Sequence, residues 1–180
     1  MDLTTTYMGL ELPSPLVPSS SPLSRDLDTI RKMEDAGAGA VVLGSLFEEQ
    51  IAHEAAELEH YLHYGADRFA ESLSYFPPQE EYRTGPQEYL EHIRRAKQAV
   101  GIPIIASLNG VSAGGWTDYA AKMADAGADA IELNVYLIPT KPAIGAAVVE
   151  DVYVTILQAV ADGVDVPVAM KLSPYFSSMA

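Results

Sequence analysis

Ala130-Ile131-Glu132-Leu133-Asn134-Val135-Tyr136 decides how this chain is read. Its first residues are mostly apolar and predict a buried strand, which then opens onto an amide and a phenol. Just before it stands Met123-Ala124-Asp125-Ala126-Gly127-Ala128-Asp129, a helix end, a glycine stop and a short turn. A helix that stops on glycine and feeds into a buried strand is half of an α/β repeat. Polar groups at the C-terminal ends of such strands face the ligand, which puts Asn134 at the mouth of a site.

The same joint occurs elsewhere. Asp35-Ala36-Gly37-Ala38-Gly39-Ala40-Val41 matches Asp125 to Ile131, and Gly101-Ile102-Pro103-Ile104-Ile105 matches Asp165-Val166-Pro167-Val168-Ala169. Proline at a strand's first residue lacks an N–H where it is least needed. Repeated helix-to-strand joints imply parallel strands with helices outside. The other expected elements are a hairpin over Leu3–Leu12 and strands at Leu16–Pro18, Ala40–Leu43, Ile104–Leu108 and Val168–Leu172. Helices are expected over Asp28–Ala36, capped by Asp26 or Ser24, and over Pro86–Val100, Trp116–Ala126 and Val148–Ala161. An acidic helical pattern runs from Phe47 to Gly65, and Phe69–Gly85 is a long loop. His53 with Glu57, or Glu59 with His63, have metal-ligand spacing only, so a solvated helix face is expected and no metal.

This order suits roughly the first five strands of a (β/α)8 TIM barrel behind an N-terminal β-hairpin. A whole barrel takes about 250 residues, so this 180-residue chain is expected to be the N-terminal portion of one barrel domain. A complete doubly wound sheet is the structural alternative. The net charge of −14 argues against nucleic-acid and anionic-membrane partners. No run approaches the roughly 18 apolar residues of a membrane span. The absence of cysteine removes disulfides and thiolate chemistry and fits a cytoplasmic location. The expected partners are a small-molecule substrate and, as an option, a second copy of the chain in a homodimer.

The strand ends collect Ser19 and Ser20, Gly44 and Ser45, Asn109, Asn134 and Tyr136, and Lys171. Amides, hydroxyls and one ammonium suit a flat heterocycle with carbonyls and ring nitrogens, such as a flavin. Lys171 ends an apolar strand, where an unpaired ammonium is costly. It could stabilise charge on a reduced cofactor, form a Schiff base as in aldolase-type lyases, or simply pair with Glu132. For Asn109 and Asn134 the plain structural role is turn capping.

Leu10-Glu11-Leu12-Pro13-Ser14-Pro15-Leu16-Val17-Pro18-Ser19-Ser20-Ser21, Glu132-Leu133-Asn134 and Met170-Lys171-Leu172-Ser173-Pro174-Tyr175-Phe176 together resemble the dihydroorotate dehydrogenase family, in particular its dihydroorotate dehydrogenase-like proteins. The resemblance implies an FMN-binding (β/α)8 barrel that oxidises a CH–CH bond, with a place in pyrimidine biosynthesis. It implies that Ser19, Ser20, Ser45, Asn134 and Lys171 contact the flavin, with Lys171 near the N1–C2=O edge and Asn109 close by. Substrate would meet Asn134 and the loop with Ser72 and Ser74. Three places depart from the family pattern. The position of its cysteine or serine base is Leu137, leaving Tyr136 as the nearest titratable group; Gly44 stands for a lysine; and Ser72-Leu73-Ser74-Tyr75-Phe76-Pro77 replaces an asparagine-rich loop. The flavin side of the pattern is kept and the substrate side altered, so a non-catalytic flavin-binding module is a further alternative. Because barrel loops after the seventh and eighth strands hold the phosphate, residues 1–180 alone are expected to be inactive unless a partner completes them.

Overall fold

The computed structural model describes residues 2–49, 51, 86–110, 113–136 and 144–172. The chain opens with an antiparallel hairpin of β1 (Thr5–Tyr7) and β2 (Leu10–Leu12). Its two-residue turn, Met8-Gly9, has positive φ at both positions (52° and 76°), the backbone twist that suits a tight hairpin. Then follow α1 (Leu27–Asp35), β3 (Val41–Val42), β4 (Leu46–Phe47), α2 (Pro86–Ala99), β5 (Ile104–Asn109), α3 (Ala113–Asp125), β6 (Ala130–Asn134), α4 (Ala146–Ala161) and β7 (Val168–Lys171). The strands form one five-stranded parallel sheet in the order β3-β5-β6-β7, with β4 also on β5. This is an α/β fold of partial (β/α)8 type, as the alternation of elements predicts.

Both repeated joints fold alike. Gly37 and Gly127 sit at φ 93° and 99°, where a side chain would be strained. Around each, paired bonds (Ala38 N to Met33 O and Gly37 N to Glu34 O; Ala128 N to Met123 O and Gly127 N to Ala124 O) close the helix by a Schellman motif. The copies diverge at Gly39 and Asp129. The Asp129 carboxylate accepts two bonds from the Lys97 ammonium (2.8 and 2.7 Å) and one from the Ile104 amide (2.7 Å). It thereby clamps α2 and β5 to the start of β6. Asp129→Ala is expected to cost about 1–3 kcal/mol, because a buried backbone donor and an ammonium lose their acceptor; urea unfolding of both proteins measures it.

Strand alternation divides the sheet into two faces. Val41, Leu43, Ile104, Ala106, Leu108, Ile131 and Leu133 point outward into the main core. There they meet Ile30 of α1, Ile93 of α2, Met123 of α3 and Val160 of α4. The opposite face begins as a small apolar floor of Ala40, Val42, Ile105 and Ala130, covered by Leu12 with Met8, Leu10 and Val17. Beyond that floor the inner face turns polar.

Leu16–Pro18, expected as a strand, lies beside the start of β3 through Gly39 N to Leu16 O (2.8 Å) and Val42 N to Pro18 O (3.0 Å). It carries no ladder of its own, since Pro15 and Pro18 have no N–H to return. Phe47, expected to begin a helix, belongs to β4 because Leu46 is buried against β5. The acidic segment with His53, His60 and His63, the loop with Ser72 and Ser74, Leu137, and the stretch from Ser173 to Phe176 lie outside the described residues. No helix among the described residues is long and apolar enough to cross a membrane.

Candidate functional site

The inner face is built in rows. Residues facing each other across parallel strands point the same way, so the register sets the rows directly. Val42 and Ile105 lie side by side, as do Ile105 and Ala130. Ser107 faces Glu132, and Glu132 faces Ala169. One step further on are Asn109, Asn134 and Lys171, with Asn134 and Lys171 in direct register and Asn109 opposite Phe47. Each is the last residue of its strand. Three strand-end residues separated by 25 and 37 positions in sequence therefore share one face and one rim, as the sequence predicts.

Ser45 reaches this face through a break in register. Val42 pairs with Ile105, but Leu46 pairs with Leu108. Leu43, Gly44 and Ser45 thus stand opposite only Ala106 and Ser107, a one-residue bulge in a parallel ladder. The extra residue re-aims Ser45 inward, with its hydroxyl 3.0 Å from that of Ser20 and 2.8 Å from that of Ser107. Ser107 in turn donates to Glu132 Oε1 at 3.3 Å, and Lys171 Nζ lies 4.0 Å from the same oxygen. A continuous polar chain crosses the inner face from the loop before α1 to the end of β7.

The bulge leaves the Ser107 backbone without a strand partner on that side, and Tyr89 of α2 takes its place. The Tyr89 hydroxyl accepts from Ser107 N (3.0 Å) and donates to Ser107 O (3.2 Å). Burial pushes this phenol well above its usual value, and the Glu132 charge adds to the effect. Tyr89→Phe is expected to cost about 1–3 kcal/mol, since two buried backbone groups lose their partner. An unfolded tyrosine ionises near pH 10 while Tyr89 stays neutral when folded, so its contribution is full below about pH 10 and is lost above it. The stability gap between wild type and Tyr89→Phe should accordingly narrow above that pH in denaturant titrations.

The remaining expected residues distribute as follows. Ser19 is exposed and lines a cavity of about 370 Å³ together with Thr5, Tyr7, Leu12, Val42 and Glu132. Tyr136 projects past the end of β6 and is 67% exposed. Lys171 keeps 43% of its side chain exposed while Glu132 keeps 14%, so the carboxylate is the inner partner of the pair. The pairing of Lys171 with Glu132 is as the sequence offered, whereas Ser107, inside an apolar strand, and Tyr89, on a helix, are members of the site that the sequence reading did not single out. The signal was there: Ser107 shares parity with Asn109, and Glu132 with Asn134.

A cofactor fit can be tested on Asn134. It is 9% exposed, and its Oδ1 is buried with no hydrogen-bond partner among the described residues. A buried acceptor without a donor is costly, and a ligand N–H placed there would satisfy it. Beside it in register, Lys171 offers only donors, which suit a carbonyl or an anionic ring edge. A pyrimidine-type edge of alternating C=O and N–H, as in the flavin ring, meets both demands, so the residues present fit the ring of FMN.

No family model matches the chain. The chain is 30% identical over 181 residues to the catalytic subunit of dihydroorotate dehydrogenase B (NAD(+)) from Thermoplasma acidophilum, covering 99% of this chain and 56% of that protein. It is 29% identical over 188 residues to the NAD-dependent dihydropyrimidine dehydrogenase subunit PreA of Escherichia coli K12, covering 99% of this chain and 43% of that protein. The chain thus spans about half the length of the curated relatives it matches. Among solved structures, an IMP dehydrogenase/GMP reductase-like protein from Corynebacterium glutamicum superposes with TM-score 0.51 at 18% identity, over 96% of this chain and 43% of that one. That likeness concerns the fold alone. In sequence the chain is similar to these dehydrogenase subunits along nearly its whole length, and in architecture it is a partial (β/α)8 barrel.

Proposed function

We propose that residues 1–180 form the N-terminal, flavin-binding side of an FMN-dependent oxidoreductase that acts on a CH–CH bond of a reduced pyrimidine. The observation that carries this reading is the buried Asn134 Oδ1, unpaired among the described residues, on a residue in register with Lys171. The substrates in the names of both relatives support the substrate class, because dihydroorotate and dihydropyrimidines share a reduced pyrimidine ring. Asn134 would accept from the ring N–H, and Lys171 would face the carbonyl edge. Ser20 and Ser45 would line the adjacent wall, with Ser19 and Asn109 at its borders. Bound FMN would supply a two-electron acceptor for a hydride leaving a substrate carbon. The accompanying proton has no acceptor at Leu137, which is a hydrocarbon, and Tyr136 is the nearest phenol. The partners of this reading are a small-molecule substrate and a second copy of the chain.

Absorption spectroscopy of the intact gene product loaded with FMN tests the reading. A flavin band near about 450 nm that bleaches anaerobically with dihydroorotate or dihydrouracil supports it. A stable band that neither substrate bleaches favours a non-catalytic flavin module. Borohydride trapping of a carbonyl substrate on Lys171 would instead mark a Schiff-base lyase.

A further inference from the structure

We propose that Glu132 fixes the donor–acceptor direction of the hydroxyl chain Ser20–Ser45–Ser107, so that this wall of the site offers a ligand hydrogen-bond acceptors only. A serine hydroxyl has one hydrogen and two lone pairs, whereas an ionised carboxylate only accepts. Ser107 donates its hydrogen to Glu132 Oε1. At the 2.8 Å contact with Ser45 it can therefore only accept. Ser45 uses its own hydrogen there, so at the 3.0 Å contact Ser20 is the donor. Every hydroxyl hydrogen points toward Glu132, and what remains for a ligand is lone pairs. Asn134 Oδ1, two residues beyond Glu132 on β6, is a further acceptor without a partner among the described residues.

Donors lie at Lys171 and at the amide nitrogens of Asn134 and Asn109. The serine wall thus accepts a ring N–H and offers nothing to a ring carbonyl, which must turn toward the ammonium or the amide nitrogens. One carboxylate a single row inside the rim would dictate which way round a ligand lies. Around Glu132, Lys171 faces it from β7, the buried Tyr89 phenol feels its charge from α2, and Tyr7 of the hairpin lines the same cavity. Glu132 is in this sense a positioning residue. The inference draws on the flavin reading only in naming the ligand.

Serine-selective 13C NMR of the chain tests the direction without any ligand. Glu132→Gln replaces an obligate acceptor with an amide that can donate or accept. The Ser107, Ser45 and Ser20 signals should all move, in that decreasing order. With the chain broken by Ser45→Ala, Glu132→Gln should still move Ser107 but no longer Ser20, and Ser107→Ala should uncouple both remaining serines. Unmoved Ser45 and Ser20 signals in Glu132→Gln, or equal movement with the chain broken, would overturn the proposal. In binding, FMN should be preferred over its N3-methylated analogue by about tenfold, the worth of one hydrogen bond. That preference should narrow in Glu132→Gln, and equal binding of both flavins to wild type would also count against it. If neither flavin binds, the flavin reading fails, and the serine signals still decide the direction of the chain.

Discussion

Gly39→Ala is expected to lower the stability of the chain by about 3 kcal/mol, the upper range for forcing atoms into a packed site. A Cβ at this position would stand 2.0 Å from the Ser14 carbonyl oxygen and 3.2 Å from Leu12 Cβ. The obstacle is backbone that cannot step aside. Ser14 is buried, donates to Gly37 O at 2.6 Å and accepts from Leu16 N at 3.2 Å. The Gly39 amide itself holds Leu16 O at 2.8 Å. Moving Ser14 away would therefore release the segment after the hairpin and lift Leu12 from the inner floor. Gly37→Ala is the contrast. Nothing lies within 4 Å of its Cβ, so only the positive φ of 93° opposes it, at about 1–2 kcal/mol. Chemical denaturation of the two variants should rank them in that order.

Lys171→Met should weaken FMN about 10- to 100-fold, the range for losing a hydrogen bond to a charged group. It should also reduce stability modestly, because Glu132 keeps its charge but loses its cation in a site where it is 14% exposed. The ammonium itself is 43% exposed, so solvent screens much of that loss. The two effects separate in the double variant Lys171→Met/Glu132→Gln. Removing the stranded carboxylate should restore stability while leaving FMN binding weak. If the double variant recovers FMN affinity too, Lys171 serves only to neutralise Glu132 and does not face the ligand.

The strand-end residues were legible because each closes a recognisable joint: a glycine stop or a proline, a short apolar run, then a polar residue. That pattern located Asn109, Asn134 and Lys171 at the last positions of β5, β6 and β7. The barrel expectation then gathered them on one rim, and the registers of β5, β6 and β7 put them on one face. The position of Ser45 was visible, but the reason it faces inward was not. The bulge exists only as a mismatch between two registers on β5, and neither strand reveals it alone. Tyr89 was hidden for the same reason: on a helix it reads as one more core residue, and its role depends on a gap in a sheet it merely touches. Gly39 shows the limit from another side. Its repeat partner Asp129 is a clamp, whereas Gly39 makes room for a segment crossing from 25 residues upstream. A local pattern reports local joints, and crossings are set by the whole fold.

The central claim is that amides, hydroxyls and one ammonium from separate strands form a single flavin rim. Titration of the intact gene product with FMN, followed by quenching of flavin fluorescence, tests it most directly. The account predicts saturable one-to-one binding that falls at least about tenfold in Asn134→Ala and in Lys171→Met. Lys97→Met, which loses a cation from the opposite end of the strands, should leave it unchanged. Absence of saturable binding, or equal loss in all three variants, would contradict it.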